Sequence, residues 1–226
     1  MMIHVLKRER VQESYCGLTY QKVSLGGGGI EGYDYFPERL EEAKQQGGQT
    51  IVSGVTAYYL HCQPPKFSTL PVKMFLDKYS PGEFFDRGNG VHMVTAKFRD
   101  IIEAIEPGMH YFWPARMELN GEVLEDYYHM VIARQIEFDG FDFNVYGHYP
   151  ESKVLGDLIG QQPELADVLS QFPLWSIVGK KTSILANDPV VERVKQTNIP
   201  GLWDDSFVPD DPDDYFPADW GIQDAY

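Results

Sequence analysis

The sequence predicts an α+β fold, mostly antiparallel sheet covered by short helices. Three observations lead there. The 226 residues are 43% hydrophobic and 14% aromatic but only 23% charged, which supplies a packed interior and argues against a disordered chain. Runs rich in β-branched and aromatic residues recur between Gly and Pro punctuation, and Asn120-Gly121 is a strong two-residue hairpin signal. Short amphipathic helices alternate with those runs; the clearest carries Phe98, Ile101, Ile102 and Ile105 at helical spacing.

Taken in order, residues 1–36 are aromatic and Gly-rich. Gly26-Gly27-Gly28-Gly29 reads as a loop, since no Lys-Ser/Thr follows it and no G-x-G-x-x-G frame is present. Pro37 to Gln46 reads as a short helix, with Pro37 in its first turn and Gly47-Gly48 as its stop. Thr50 to Leu60 is expected to be a strand, ended by Pro64-Pro65, and Leu70 to Tyr79 a second extended stretch before the Pro81-Gly82 turn. Val91 to Val94 reads as a strand entering a helix that Thr95 caps and Pro107-Gly108 stops. Met109 to Leu119 follows as a strand interrupted by Pro114. A tight turn at Asn120-Gly121 then pairs Leu119 with Glu122, Trp113 with Tyr128 and Arg116 with Glu125, and Glu122 to Phe138 returns. Phe141 to Tyr146 alternates apolar and polar residues. A short helix over Pro163–Gln171, a strand over Leu174–Leu185 and a second helix over Pro189–Gln196 complete the pattern before Gly201-Leu202-Trp203. The expected organisation is one α+β domain over residues 1–226, with an unassigned part at 1–89, a patterned part at 90–209 and a tail at 210–226.

Charge narrows the function classes. Lys and Arg total 19 against 34 Asp and Glu, a formal net charge of −15, which repels nucleic acid and anionic membrane surfaces and attracts basic partners. Cys16 and Cys62 have no metal-type spacing, and two lone thiols fit a reducing cytosol. The first ten residues carry charges where a signal peptide needs its apolar core, and no apolar run is long enough to span a bilayer. The expected location is the cytoplasm.

Two segments share a grammar. Val94-Thr95-Ala96-Lys97-Phe98-Arg99-Asp100-Ile101-Ile102 leads to Gly108-Met109-His110-Tyr111-Phe112, and Ala186-Asn187-Asp188-Pro189-Val190-Val191-Glu192-Arg193-Val194 leads to Gly201-Leu202-Trp203. Each is a strand residue, a cap (Thr95 or Asn187), a helix of about three turns, then glycine and aromatics. A duplicated element and a common supersecondary choice both account for it. Over roughly residues 90–209, this pattern, with Thr95, Gly108, Pro114, Asn187, Gly201 and Trp203, resembles the eleventh family of bacterial polymorphic-toxin immunity proteins. The chain departs from that pattern in placing Pro107 before Gly108 and Pro200 before Gly201. The resemblance implies a cytoplasmic protein that binds and neutralises a cognate toxin, and it brings no catalytic residues.

Signatures of catalysis or metal binding are sparse. None of His4, His61, His92, His110, His129 and His148 stands in H-x-H, H-E-x-x-H or H-x₃₋₅-H spacing. His110 and His129 share one face of the predicted hairpin, with Glu125 beside them; a small-molecule enzyme built on that patch is the alternative reading. Half-exposed strand histidines account for the same residues, since a hairpin supplies only two ligands. No G-x-S-x-G elbow or cysteine-nucleophile signature is present. The leading expectation is therefore no enzyme, no metal and no cofactor.

The C-terminus is more informative. Residues 200–226 hold eight aspartates and no Lys, Arg or Glu, while the other 199 residues hold 26 acidic and 19 basic side chains, a net charge of −7. Six aromatics and four prolines are threaded through that tail, which excludes a long helix or a central strand. Acids keep such a segment solvated while aromatics supply anchors for an interface. Trp203, Asp204, Asp205, Asp210, Asp211, Asp213, Asp214, Tyr215 and Trp220 are the candidate partner-binding residues, with a basic toxin as the expected partner. Packing of the aromatics on the protein's own sheet, or a disordered solubilising end, are the other readings. A non-catalytic assembly subunit is a third functional alternative, suggested by the aromatic N-terminal 36 residues.

Overall fold

In the computed structural model, which describes residues 3–6, 35–64, 72–74, 84–86, 91–119, 122–140, 151–197 and 222–224, the chain opens with strand β1 (Ile3–Leu6). Helix α1 (Tyr35–Gln46) holds Pro37 in its first turn. It stops at Gly47, whose amide donates to the Lys44 carbonyl at 3.1 Å and whose φ of +90° turns the chain out of the helix. Thr50–Leu60 is not the single strand the sequence predicts. It belongs to a hairpin, β2 (Gln49–Val52) and β3 (Val55–Tyr59), folded at Ser53-Gly54. Gly54, at φ +78°, makes a tight turn inside a run of β-formers.

Strands β4 (Val72–Met74) and β5 (Phe84–Asp86) follow, β4 within the stretch expected over Leu70–Tyr79. Then β6 (Val91–Thr95) runs into α2 (Ala96–Ile105) as predicted. Thr95 Oγ1 accepts the Phe98 amide at 3.4 Å, and Phe98, Ile101 and Ile102 are buried. Strands β7 (Tyr111–Leu119) and β8 (Glu122–Val131) form the predicted hairpin, with Leu119 opposite Glu122. Two details differ. Pro114 does not interrupt β7: on that strand's other side β4 pairs only with Met117–Leu119, so no described ladder partner needs an amide hydrogen there. A bulge between Ala115 and Met117 shifts the register by one. Trp113 therefore faces His129 while Pro114 faces Tyr128, and Arg116 stands alone against the two β8 residues Glu125 and Asp126, the extra residue being on β8.

The larger correction lies at the end of β8. The sequence predicts one strand over Glu122–Phe138, but the chain breaks at Ile132-Ala133 and resumes as β9 (Arg134–Phe138) in a different sheet. Helix α3 (Glu151–Gln161), obscured in the sequence by Gly156 and Gly160, precedes α4 (Glu164–Leu169), which fills the middle of the helix expected over Pro163–Gln171. Leu174–Leu185 is likewise not one strand but the hairpin β10 (Leu174–Ile177) and β11 (Lys180–Asn187), turned at Val178-Gly179. Helix α5 (Asp188–Gln196) is capped by Asn187, whose Oδ1 accepts the Val190 amide at 3.4 Å, and β12 (Ile222–Asp224) comes last. Gly26–Gly29, Pro81-Gly82, Phe141–Tyr146 and Gly201–Trp203 lie outside the described residues.

The described strands form two sheets, ordered β12-β1-β11-β10-β9-β3-β2 and β4-β7-β8-β6-β5. Neighbours are antiparallel except β9 with β10 and β4 with β7, so the fold is the predicted α+β class. One face of the seven-stranded sheet, with Ala57, Ile136, Phe138 and Trp175, is covered by Leu155 and Ile159 of α3 and Leu165 and Leu169 of α4. On the opposite face α2 and α5 pack together. Their apolar stripes, Phe98-Ile101-Ile102 and Val190-Val191-Val194, bury against Leu174, Ile184 and Ala186 of this sheet and Val94 and Met130 of the other. The two strand–cap–helix segments are thus neighbours in one core that both sheets share. A smaller cluster seats Leu40 and Ala43 of α1 against Leu60, Val131 and Ala133. Among the described residues, no helix is long and apolar enough to cross a membrane.

Candidate functional site

All nine predicted partner-binding residues, Trp203, Asp204, Asp205, Asp210, Asp211, Asp213, Asp214, Tyr215 and Trp220, lie outside the described residues. What is described is where their segment begins and ends. Helix α5 stops at Gln196, and β12 returns the chain to the seven-stranded sheet by pairing antiparallel with β1, His4 opposite Asp224 and Leu6 opposite Ile222. The stretch that carries most of the tail's charge connects two described elements.

The histidine patch is placed differently from the expectation. His110 and His129 are buried, whereas Glu125 on β8 is exposed. His129 lies opposite Trp113 on β7 and Met93 on β6. His110 turns to Glu106 instead, its Nε2 standing 3.2 Å from Glu106 Oε2. Among the described residues no three His, Cys, Asp or Glu side chains are placed to hold a metal ion. Cys62 is half-buried and forms no disulfide among the described residues.

The constellation that the fold does assemble centres on Glu106, the C-cap of α2, at the point where the chain passes from one sheet to the other. Four donors from three segments converge on its carboxylate. Arg134, the first residue of β9, reaches Oε1 with Nη2 at 2.7 Å and Oε2 with Nη1 at 3.3 Å. The Leu174 amide, at the start of β10, donates to Oε2 at 3.2 Å, and the His110 ring completes the set. Arg134 Nη1 also donates to the Leu174 carbonyl at 2.9 Å. Its guanidinium lies 4.6 Å from the Phe172 ring centre and 5.9 Å from that of Tyr59.

The same contacts fix the protonation of His110. The Ala133 amide donates to Nδ1 at 3.2 Å, so Nδ1 must carry a lone pair and the proton sits on Nε2, facing Glu106. Burial drives the imidazole below its ordinary range; the hydrogen bond and charge of Glu106 oppose this, Arg134 adds to it, and the net direction is down. Burial pushes the Glu106 carboxyl up, but the hydrogen bonds from His110 and Arg134 and the Arg134 charge outweigh it and hold it below the usual carboxylate range. The side chains of His110, Arg134 and Glu106 are 0%, 5% and 11% exposed. Both ring nitrogens and both carboxylate oxygens are engaged, which leaves neither group a position from which to work on a substrate.

A second, shallower cluster lies on β9. Glu137 accepts a hydrogen bond from Tyr58 Oη of β3 at 2.8 Å and forms an ion pair with Lys44 of α1. Lys44 Nζ also stands 5.5 Å above the Tyr58 ring. Burial, with the bond to Glu137 second, raises the Tyr58 phenol to about 12. Neither Glu106 nor Glu137 stands out in a sequence with 34 acidic residues. The i, i+4 spacing of Glu106 and His110 is the one available signal, and Pro107-Gly108 between them reads as a helix stop. Comparison with protein-family models, with curated proteins and with solved structures gives no match to this chain.

Proposed function

We propose that this chain is an immunity-type protein that works in the cytoplasm, binding a cognate bacterial toxin and neutralising it by occupying it. The observation that carries the reading is the segregation of charge: eight aspartates and six aromatics within residues 200–226, against a body of net charge −7. An acidic, aromatic surface speeds encounter with a basic partner, and buried aromatics then slow release. Two further points support it. The pattern over residues 90–209 resembles the immunity family, and the polar centre built by the described residues is consumed by its own hydrogen bonds.

The test is co-expression with the product of the neighbouring gene, followed by co-purification and a growth assay. The neighbour's product is expected to be toxic without this chain and to co-purify with it. A neighbour that neither binds the chain nor is toxic without it sinks the proposal. Deleting residues 210–226 would remove β12 along with the acids, so the sharper variant replaces Asp210, Asp211, Asp213 and Asp214 with Asn and leaves β12 in place. Association should slow at least tenfold at low salt and much less at high salt, with the thermal midpoint unchanged. Unchanged association at low salt would move the interface elsewhere.

A further inference from the structure

The Glu106 cluster sits on the two residues, Ile132 and Ala133, that carry the chain between sheets, and the bonds of that crossover are unequal. The Ile132 carbonyl accepts from Gln135 Nε2 at 2.7 Å, and the Ala133 carbonyl accepts the Leu60 amide at 2.9 Å. Neither partner titrates. The Ala133 amide is held by His110 Nδ1, an acceptor only while the ring is neutral. A proton on Nδ1 would set two donors 3.2 Å apart in a buried site and deprive the amide of its partner.

We propose that His110 is an acid-operated catch on the sheet crossover: protonation at Nδ1 expels the Ala133 amide and opens the junction of β8, β9 and the α2 C-terminus while the rest of the chain stays folded. The charged and titratable groups around the ring are Glu106 and Glu103 from α2 and Arg134 from β9, with Tyr59 of β3 over the Arg134 guanidinium; β10 contributes backbone only. Glu106 favours a proton on the ring, while burial, the larger effect, and Arg134 disfavour it, and the net direction is a neutral imidazole in the closed form. Linkage then fixes the sign. A group whose pKa is depressed in the closed form favours that form above its open-state value and favours opening as pH falls below it. For a histidine that onset is about 6.5, whereas Glu106, also depressed, adds its share only below about 4.5. As pH falls below the histidine's open-state value, up to one proton is taken up per opening, so the population of the open junction rises up to about tenfold per pH unit until the closed-form ring itself protonates.

Amide exchange of the full chain, read by NMR and corrected for the intrinsic pH dependence of exchange, tests this. The protection of Ala133 should be lower than that of Ala57 and Ile136 in the β3–β9 ladder, and it should fall up to tenfold per unit below pH 6.5. H110N keeps an acceptor for the amide and cannot titrate, so it should flatten that slope. Loss of Ala133 protection only in step with Ala57 and Ile136, or an unchanged slope in H110N, overturns the proposal. Should H110N fail to fold, the wild-type imidazole nitrogen shifts decide. They must show an unprotonated Nδ1 at neutral pH and titrate together with Ala133 opening, and a protonated Nδ1 or a separate titration overturns it equally.

Discussion

Two carboxylates tie remote parts of this chain together, in opposite surroundings. Glu106 is 11% exposed and takes four donors; Glu137 is 29% exposed and takes two, from Lys44 and Tyr58. Burial pushes both carboxyls up, and hydrogen bonding returns both below the ordinary range. What separates them is what happens when a bond is lost. Around Glu137, water reaches the abandoned partners. Around Glu106 it does not, and a 5% exposed guanidinium and the Leu174 amide would be stranded. Polar contacts of similar geometry therefore differ several-fold in energetic weight, and the weight follows solvent access rather than bond count.

Glu106→Gln gives the largest expected effect. The amide keeps the shape and one acceptor oxygen but removes the charge opposite Arg134. The expected loss is about 3–5 kcal/mol, the cost of leaving one partner of a buried pair unpaired, read from urea denaturation of the full chain. The loss should persist in high salt because the pair is shielded from ions. A loss under about 1 kcal/mol would place Glu106 in the same class as a surface pair and collapse the contrast.

The helix caps repeat the comparison at smaller scale. Thr95 is half-buried and caps α2 by accepting the Phe98 amide. Asn187 is 4% exposed, caps α5 through Oδ1 and donates from Nδ2 to the Ser170 carbonyl at 3.1 Å. Asn187→Ala should cost about 2 kcal/mol and Thr95→Ala about 1 kcal/mol, compared through denaturation midpoints at equal slope. Equal costs would show that capping alone, without burial, sets the energy.

The caps also mark what was legible beforehand. Thr95, Asn187 and the pairing of Leu119 with Glu122 act over three or four residues, so the sequence around them carries their cause. Ser53-Gly54 and Val178-Gly179 act as locally, but each sits inside a run of β-formers that reads as one strand. The break at Ile132-Ala133 is weakly marked. Its residues are apolar, and although nearby Gln135 bonds the Ile132 carbonyl, the Ala133 amide and carbonyl are bonded by His110 and Leu60, far along the chain. The centre followed the same rule. His110 was identifiable as a residue of interest, but the donors that join it on Glu106, Arg134 of β9 and the Leu174 amide of β10, are brought in by the parallel β9–β10 pairing, which residue types and spacing do not reveal. The shift of Trp113 from Tyr128 to His129 came from a single bulge residue, and register turns on such a residue.

The smallest effect belongs to Glu137. Glu137→Gln should cost about 0.5–1 kcal/mol at low salt and less at high salt, because Lys44 and Tyr58 both remain within reach of water. Its clearer signature is the Tyr58 phenol. That group is raised to about 12 first by burial and then by its bond to Glu137 and the Glu137 and Asp139 charges. Removing the Glu137 charge should bring it down only part of the way toward 10, since the ring stays where β2 and β3 hold it. Gly48 makes that placement specific, because a Cβ there would lie 2.3 Å from Thr56 Cγ2 and 2.7 Å from a Tyr58 ring carbon. A near-ultraviolet titration separates the causes. A complete return to 10 would mean that the charge alone set the phenol, and an unmoved midpoint that burial alone did. An intermediate value with a small stability loss is the result expected of a half-buried carboxylate whose partners have water to fall back on.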